Sequence, residues 1–155
     1  MKNSGVFWCI LMICLFFSPG CERSEDCGPV DFTTINFSNY SSVMITDNEV
    51  EDKSLIINSK TEYDKQVFID RVDGAGFDIS TIDYSKYTLL IGKKKINGVS
   101  GTLISQSFVK DCVSNRYVYK LLVKNGGYTA VGNFMYGIIV PKNTTEIDFH
   151  VELLN

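Results

Sequence analysis

Alternation of apolar and polar residues is clearest towards the C-terminus of the chain. In residues 146–153, EIDFHVEL, every second side chain is apolar and the residues between them are charged or His. A period of two predicts a β-strand with one buried and one solvated face. Residues 117–124, YVYKLLVK, place Tyr117, Tyr119, Leu121 and Val123 on one face, and Lys120 and Lys124 lie on the other. Further strands are predicted over 87–92, 101–109 and 135–140, and weaker candidates lie at 32–37 and 54–58.

One helix is predicted between the early and the late strands. Asn58 or Ser59 can cap its first turn, and Glu62, three residues after Ser59, completes a capping box. Residues 60–72, KTEYDKQVFIDRV, then carry a broad apolar side, and the glycine-containing segment from Gly74 ends the pattern. The predicted helix therefore extends from the cap at Ser59 to about residue 72.

Two Asn-Gly turns separate the late strands. Asn97-Gly98 and Asn125-Gly126 lie between predicted strands, and both are predicted to form β-hairpins because these residue types tolerate positive φ. The run Lys93-Lys94-Lys95 beside the first turn is interpreted as protection of an edge strand, with contact to anionic lipid headgroups as the alternative.

The order of the elements predicts an α+β fold, in which one helix packs on a mainly antiparallel β-sheet or open barrel of about 6–7 strands. From the helix onward, the segments IDYSKYTLLIG and MYGIIVPK and the alternating last strand resemble the C-terminal domain family of the protease-complex protein PrcB, and also small Bacteroidota lipoproteins of unknown function. The resemblance covers residues 55–153, and Gly126-Gly127-Tyr128 matches the Gly-Gly-Tyr of the family. It implies protein binding or protein stabilisation rather than catalysis.

The start of the chain has the pattern of a secretory signal peptide. Lys2 precedes an apolar stretch over 6–17, which is too short to span a bilayer. The sequence Ser18-Pro19-Gly20-Cys21 resembles a lipobox, which predicts lipidation of Cys21, with ordinary signal-peptidase cleavage as the alternative. Glu22 favours a lipid-anchored position at the outer membrane, facing the periplasm or the cell surface. The predicted organisation is a signal peptide over 1–20, a lipidated tether over 21–29 and a single α+β domain over 30–155.

The cysteine count favours lipidation of Cys21 over ordinary cleavage, because a free Cys21 would leave an odd thiol in an exported protein. Cys9 and Cys14 leave with the signal peptide, and lipid occupies Cys21, so that Cys27 and Cys112 remain. An exported pair of cysteines favours a disulfide between Cys27 and Cys112, with two separate thiols as the alternative.

The net charge and the motifs of the chain limit the functions that the sequence supports. The formal net charge is −3, so no basic surface for nucleic acid is implied. The single histidine, His150, shares a polar strand face with Asp148 and Glu152, but no nucleophile elbow accompanies it, so we expect solvated residues rather than a catalytic site. No Cys-x-x-Cys pair or second histidine is present, and the acidic loop over 47–52 lacks EF-hand spacing. We therefore expect neither a metal nor a cofactor.

Aromatic residues near the second glycine-rich turn are candidates for partner contact. Tyr128, Phe134 and Tyr136 lie within residues 126–137, GGYTAVGNFMYG, and alternating burial is expected to take one or two of them. The sequence thus favours a non-enzymatic outer-membrane lipoprotein that binds or stabilises a protein through a sheet edge or these loops. An accessory lipoprotein that binds carbohydrate or another small ligand through the same aromatics is the alternative.

Overall fold

The computed structural model describes residues 28–37, 40–45, 52–71, 78–98, 100–127, 130–142 and 146–154. Within these ranges the predicted α+β class with a single α-helix is confirmed, whereas the ten strands exceed the expected number, and the sheets do not close into a barrel. No helix in the described ranges is long and apolar enough to cross a membrane. The elements are β1 (Gly28–Pro29), β2 (Thr33–Thr34), β3 (Tyr40–Ile45), β4 (Lys53–Ile57), α1 (Lys60–Gln66), β5 (Val67–Arg71), a 3-10 helix (Ile79–Thr81), β6 (Tyr87–Asn97), β7 (Thr102–Asp111), β8 (Arg116–Lys124), β9 (Val131–Pro141) and β10 (Ile147–Leu154).

Two four-stranded sheets pack face to face as a sandwich. Sheet A has the strand order β1-β7-β8-β10, and sheet B has the order β2-β9-β6-β4. Leu90, Tyr136 and Ile138 of sheet B share one apolar core with Phe108 and Tyr119 of sheet A. β10 pairs parallel to β8, whereas the other strand pairs in the described ranges are antiparallel.

The second face of sheet B is covered by α1 and by the two-stranded sheet β3-β5. Leu89, Ile91 and Ile139 of sheet B form a second apolar core with Tyr63 of α1 and Val67 of β5. Because sheet B is buried on both faces, β6 contains a continuous run of buried residues instead of an alternating pattern.

The helix is shorter than predicted. Its start is as expected, since the Ser59 side chain accepts a hydrogen bond from the backbone N–H of Glu62. It ends at Gln66, however, and the next five residues form β5, which pairs antiparallel with β3. The prediction of helix beyond Gln66 is therefore wrong. The β-branched residues Val67 and Ile69 fit a strand well, and the pairing with β3 decides in its favour.

Neither Asn-Gly turn forms a hairpin. β6 and β7 belong to different sheets, as do β8 and β9, so each turn carries the chain from one sheet to the other. Gly98 has a φ of +121°, and a Cβ at this position would lie 2.7 Å from the Cα of Gly126. The backbone N–H of Asn97 also donates to the side-chain oxygen of Asn125, at 3.2 Å. The two turns therefore pack against each other, at a separation that glycine permits.

The three consecutive lysines do not protect an edge strand. β6 is an interior strand of sheet B, with β4 on one side and β9 on the other. Lys93 is buried, and Lys94 forms an ion pair with Asp52. Asp52 also accepts a hydrogen bond from the backbone N–H of Lys95, and these interactions lower the pKa of its carboxyl group despite the opposing effect of burial. These residues join β6 to the start of β4.

Candidate functional site

β10 forms one edge of sheet A, and β8 is its single strand neighbour in the described part of the chain. The carbonyl oxygens of Glu146 and Leu154 accept hydrogen bonds from the N–H groups of Tyr117 and Asn125, at 3.0 and 2.9 Å. In a strand, the N–H and C=O groups of successive residues point alternately to the two sides. The backbone N–H and C=O groups of the even-numbered residues of β10 therefore point towards β8. Those of the odd-numbered residues point towards the open edge.

The side chains of β10 alternate as the sequence predicts, with partly buried and exposed positions in turn. The apolar residues of β10 pack on the core shared by the two sheets and yet keep part of their surface exposed. These residues are Ile147, Phe149, Val151 and Leu153. The open edge thus combines backbone groups that no described strand pairs with apolar side chains that a further strand would cover.

The polar face of β10 continues across the outer surface of sheet A. His150 lies beside Lys120 of β8, which in turn lies beside Ser107 of β7. They line a shallow depression of about 540 Å³ that also includes Glu152. His150 is exposed and has no hydrogen bond to Asp148 or to another described residue, so nothing in this part of the chain orients it as a base.

A second depression, of about 560 Å³, lies at the mouth of the sandwich between β2, β7 and β9. Gln106 bridges the two sheets here, because its amide nitrogen donates to the Thr34 hydroxyl at 2.6 Å and its amide oxygen accepts from the Tyr119 hydroxyl at 2.9 Å. Among the described residues, no acidic or basic side chain lines this cleft. The lining residues are Thr34, Ile35, Asn36, Phe37, Gly101, Leu103, Gln106, Phe134, Met135, Tyr136 and Gly137.

The aromatic candidates have different positions. Tyr128 lies outside the described residues, and Phe134 is half-buried in the lining of the cleft. Tyr136 is only 4% exposed, its hydroxyl forms a 2.7 Å hydrogen bond with the Ser54 hydroxyl, and its ring meets the edge of Tyr119 at 6.1 Å between centroids. Burial raises the pKa of the Tyr136 phenol. Tyr136 is therefore a core residue at the inner side of the cleft and offers no surface to a protein partner.

Cys112 lies in the turn between β7 and β8 and is disulfide-bonded. Cys27, its predicted partner, and Cys21, the predicted lipidation site, lie outside the described residues. Gly28 and Pro29, which the sequence assigned to the tether, form β1, and Gly28 pairs with Lys110 of β7. This pairing brings the chain close to the turn that holds Cys112. The pairing of Cys27 with Cys112 stays a prediction.

Sequence reasoning missed both the cleft and the parallel edge strand. One signal for the cleft was present, because Gln106 interrupts the apolar face of β7 two residues before the buried Phe108. The described residues contain no group of three or more His, Cys, Asp or Glu side chains that could hold a metal ion, and most of the acidic loop over 47–52 lies outside them.

Comparisons with known proteins identify no relative. No protein-family model matches the chain, and no curated protein or solved structure matches it. The functional assignment therefore depends on the geometry of the edge and the cleft.

Proposed function

We propose that the protein is a lipid-anchored outer-membrane lipoprotein that binds or stabilises a protein partner and catalyses no reaction. The anchor is an acyl group on Cys21, and the binding element is the open edge of β10. One observation carries the proposal: a strand of eight residues has partly exposed apolar side chains next to backbone groups that no described strand pairs. Membership of the PrcB C-terminal-domain family likewise stays a proposal.

The other edges support β10 as the binding element. The other edge strands in the described residues are all shorter than β10: β1 and β2 have two residues each, β4 and β5 have five each, and β3 has six. An extended partner segment on β10 would gain a row of main-chain hydrogen bonds and would cover the apolar side chains. The charged residues Asp148 and Glu152 on the outer face of β10 oppose unselective pairing with other edges.

The test uses Val151, whose backbone N–H faces the open edge. Val151→Pro removes this donor without removing a hydrogen bond to β8, whereas Val151→Ala keeps the donor and shortens the side chain. After cross-linking in intact envelopes, the wild type and Val151→Ala are expected to retain the same protein, and Val151→Pro is expected to lose it. Equal recovery by all three, with unchanged circular dichroism, would contradict the proposal.

The anchor has a separate test. Mass spectrometry of the N-terminal peptide from native cells is expected to show an acylated Cys21 with the leader removed. An unmodified thiol at Cys21, or a chain that keeps residues 1–20, would contradict the lipoprotein assignment.

Binding of a neutral small ligand such as a sugar is a second candidate function. It is favoured by the cleft, whose lining combines the rings of Phe37 and Phe134 with neutral amide and hydroxyl groups. Titration with neutral oligosaccharides is expected to give binding that Phe134→Ala abolishes and Val151→Pro leaves unchanged. The absence of saturable binding to the wild type would contradict this candidate.

A further inference from the structure

We infer that the partner segment for β10 is an extended strand with apolar residues at alternate positions and Lys or Arg residues between them. This inference rests on the proposed function and adds the chemistry of the partner. It follows from the two different faces that β10 presents along its open edge.

The apolar positions follow from the inner face. Phe149 and Val151 pack on the core between the sheets, and the ring of Phe149 meets the edge of Tyr119 at 6.0 Å between centroids. Residues directly opposite each other on paired strands lie on the same face of the sheet. Partner residues opposite Phe149 and Val151 therefore lie against the core, where apolar side chains complete the burial.

The basic positions follow from the outer face. Asp148 already has a cationic neighbour, because the guanidinium group of Arg116 lies 3.4 Å from its carboxylate. The same guanidinium group lies 2.6 Å from the carboxylate of Glu146. Glu152 has no ion pair or hydrogen bond within the described part of the chain, and its neighbour on β8 is Leu122. Lys120 and Lys124 flank Leu122 on the same face of β8, but neither forms an ion pair with Glu152. A Lys or Arg opposite Glu152 therefore gains a carboxylate that no described cation pairs, whereas an acidic residue there is repelled.

A second copy of the chain fits this edge less well in the register centred on His150. In a two-fold antiparallel pairing centred on His150, Asp148 of each copy would lie opposite Glu152 of the other. Like charges directly opposite each other destabilise paired strands. The outer face thus favours a basic partner over self-association in this register.

The test compares short peptides of alternating Lys and Val with peptides of alternating Glu and Val. The full chain is purified with its native N-terminus and titrated while fluorescence anisotropy of the labelled peptide is recorded. The Lys-Val peptide is expected to bind at least about fivefold more tightly than the Glu-Val peptide, and than a peptide of the same composition with its Lys and Val residues in separate blocks.

Two substitutions locate the charge effect. Glu152→Lys is expected to remove most of the preference for the Lys-Val peptide. Asp64→Lys is the matched control, because it changes the net charge equally on α1, which covers the face of sheet B away from sheet A. Asp64→Lys is expected to leave the preference unchanged.

Three outcomes would overturn the inference. They are equal binding of the two alternating peptides, an equal effect of Glu152→Lys and Asp64→Lys, and a dimer in sedimentation that Val151→Pro abolishes. The comparison of the two alternating peptides uses the wild-type chain, so its result does not depend on whether a variant folds. If the envelope partner still requires the Val151 N–H, failure of the peptide comparison removes the basic partner and leaves the proposed function standing.

Discussion

The ring of Tyr136 lies over Gly92, its direct neighbour across β9 and β6. A Cβ at Gly92 would overlap the ring and hydroxyl of Tyr136. The ring extends across β6, and its hydroxyl bonds to Ser54 on β4, at 2.7 Å. Gly92 thus leaves the space in which one side chain connects three strands of sheet B on the side that faces sheet A.

Gly92→Ala is predicted to lower the free energy of unfolding by about 1–3 kcal/mol, because the added methyl group displaces a ring that a hydrogen bond holds in place. Urea denaturation measures the loss. Gly127→Ala is the control, since a Cβ at Gly127 has no atom within 4 Å. Equal effects of the two substitutions, or an undiminished cost of Gly92→Ala in a Tyr136→Ala background, would contradict this interpretation.

The stability of the fold is predicted to fall as the pH rises above about 10. Burial raises the pKa of the Tyr84 and Tyr119 phenols above the ordinary value. The unfolded chain then releases these protons at a lower pH than the folded chain, so that alkaline conditions favour unfolding. Thermal unfolding between pH 8 and pH 11 measures the effect, and Tyr84→Phe and Tyr119→Phe are each expected to reduce it.

The same two substitutions are predicted to differ at neutral pH. The Tyr84 hydroxyl is buried without a hydrogen-bond partner in the described part of the chain, so Tyr84→Phe should have no cost or a small stabilising effect. Tyr119→Phe removes the hydrogen bond to Gln106 and should cost about 1 kcal/mol. Equal losses of stability for the two variants would contradict the assigned contacts.

Peptide mapping without reduction is predicted to recover Cys27 linked to Cys112. Cys112→Ser should lower the free energy of unfolding by roughly 2–5 kcal/mol, and the further change Cys27→Ser should then have little effect. A linked peptide that contains Cys21 in place of Cys27 would contradict both the pairing and the lipidation of Cys21.

The sequence predicted most accurately those elements whose structure is determined by their own residues, and less accurately those that depend on a distant partner strand. β8 and β10 were predicted closely because each has one face on the core, which imposes alternation on its own residues. β5 was assigned to the helix because its apolar residues fit both periods, and its partner β3 is distant in sequence. The two Asn-Gly turns indicated where the chain reverses but not which sheet the next strand joins.

The sequence predicted less of the candidate site, because the site also depends on contacts between residues that are distant in sequence. The alternation of β10 predicted its two faces, yet its position at the edge depends on β9 joining sheet B and on the return of the chain to β8. The cleft combines residues from β2, β7 and β9, and Gln106 gains its role from contacts with Thr34 and Tyr119 that no local pattern encodes.

Residue-resolved hydrogen exchange along β10 reports whether a partner strand pairs with its open edge. In the free protein, the amides of His150 and Glu152, which face β8, are predicted to be protected, whereas those of Phe149 and Val151 exchange rapidly. On binding of the envelope partner, the amides of Phe149 and Val151 are predicted to become protected as well. Unchanged rapid exchange of these two amides in the complex would show that the partner does not pair with β10 and would contradict the account.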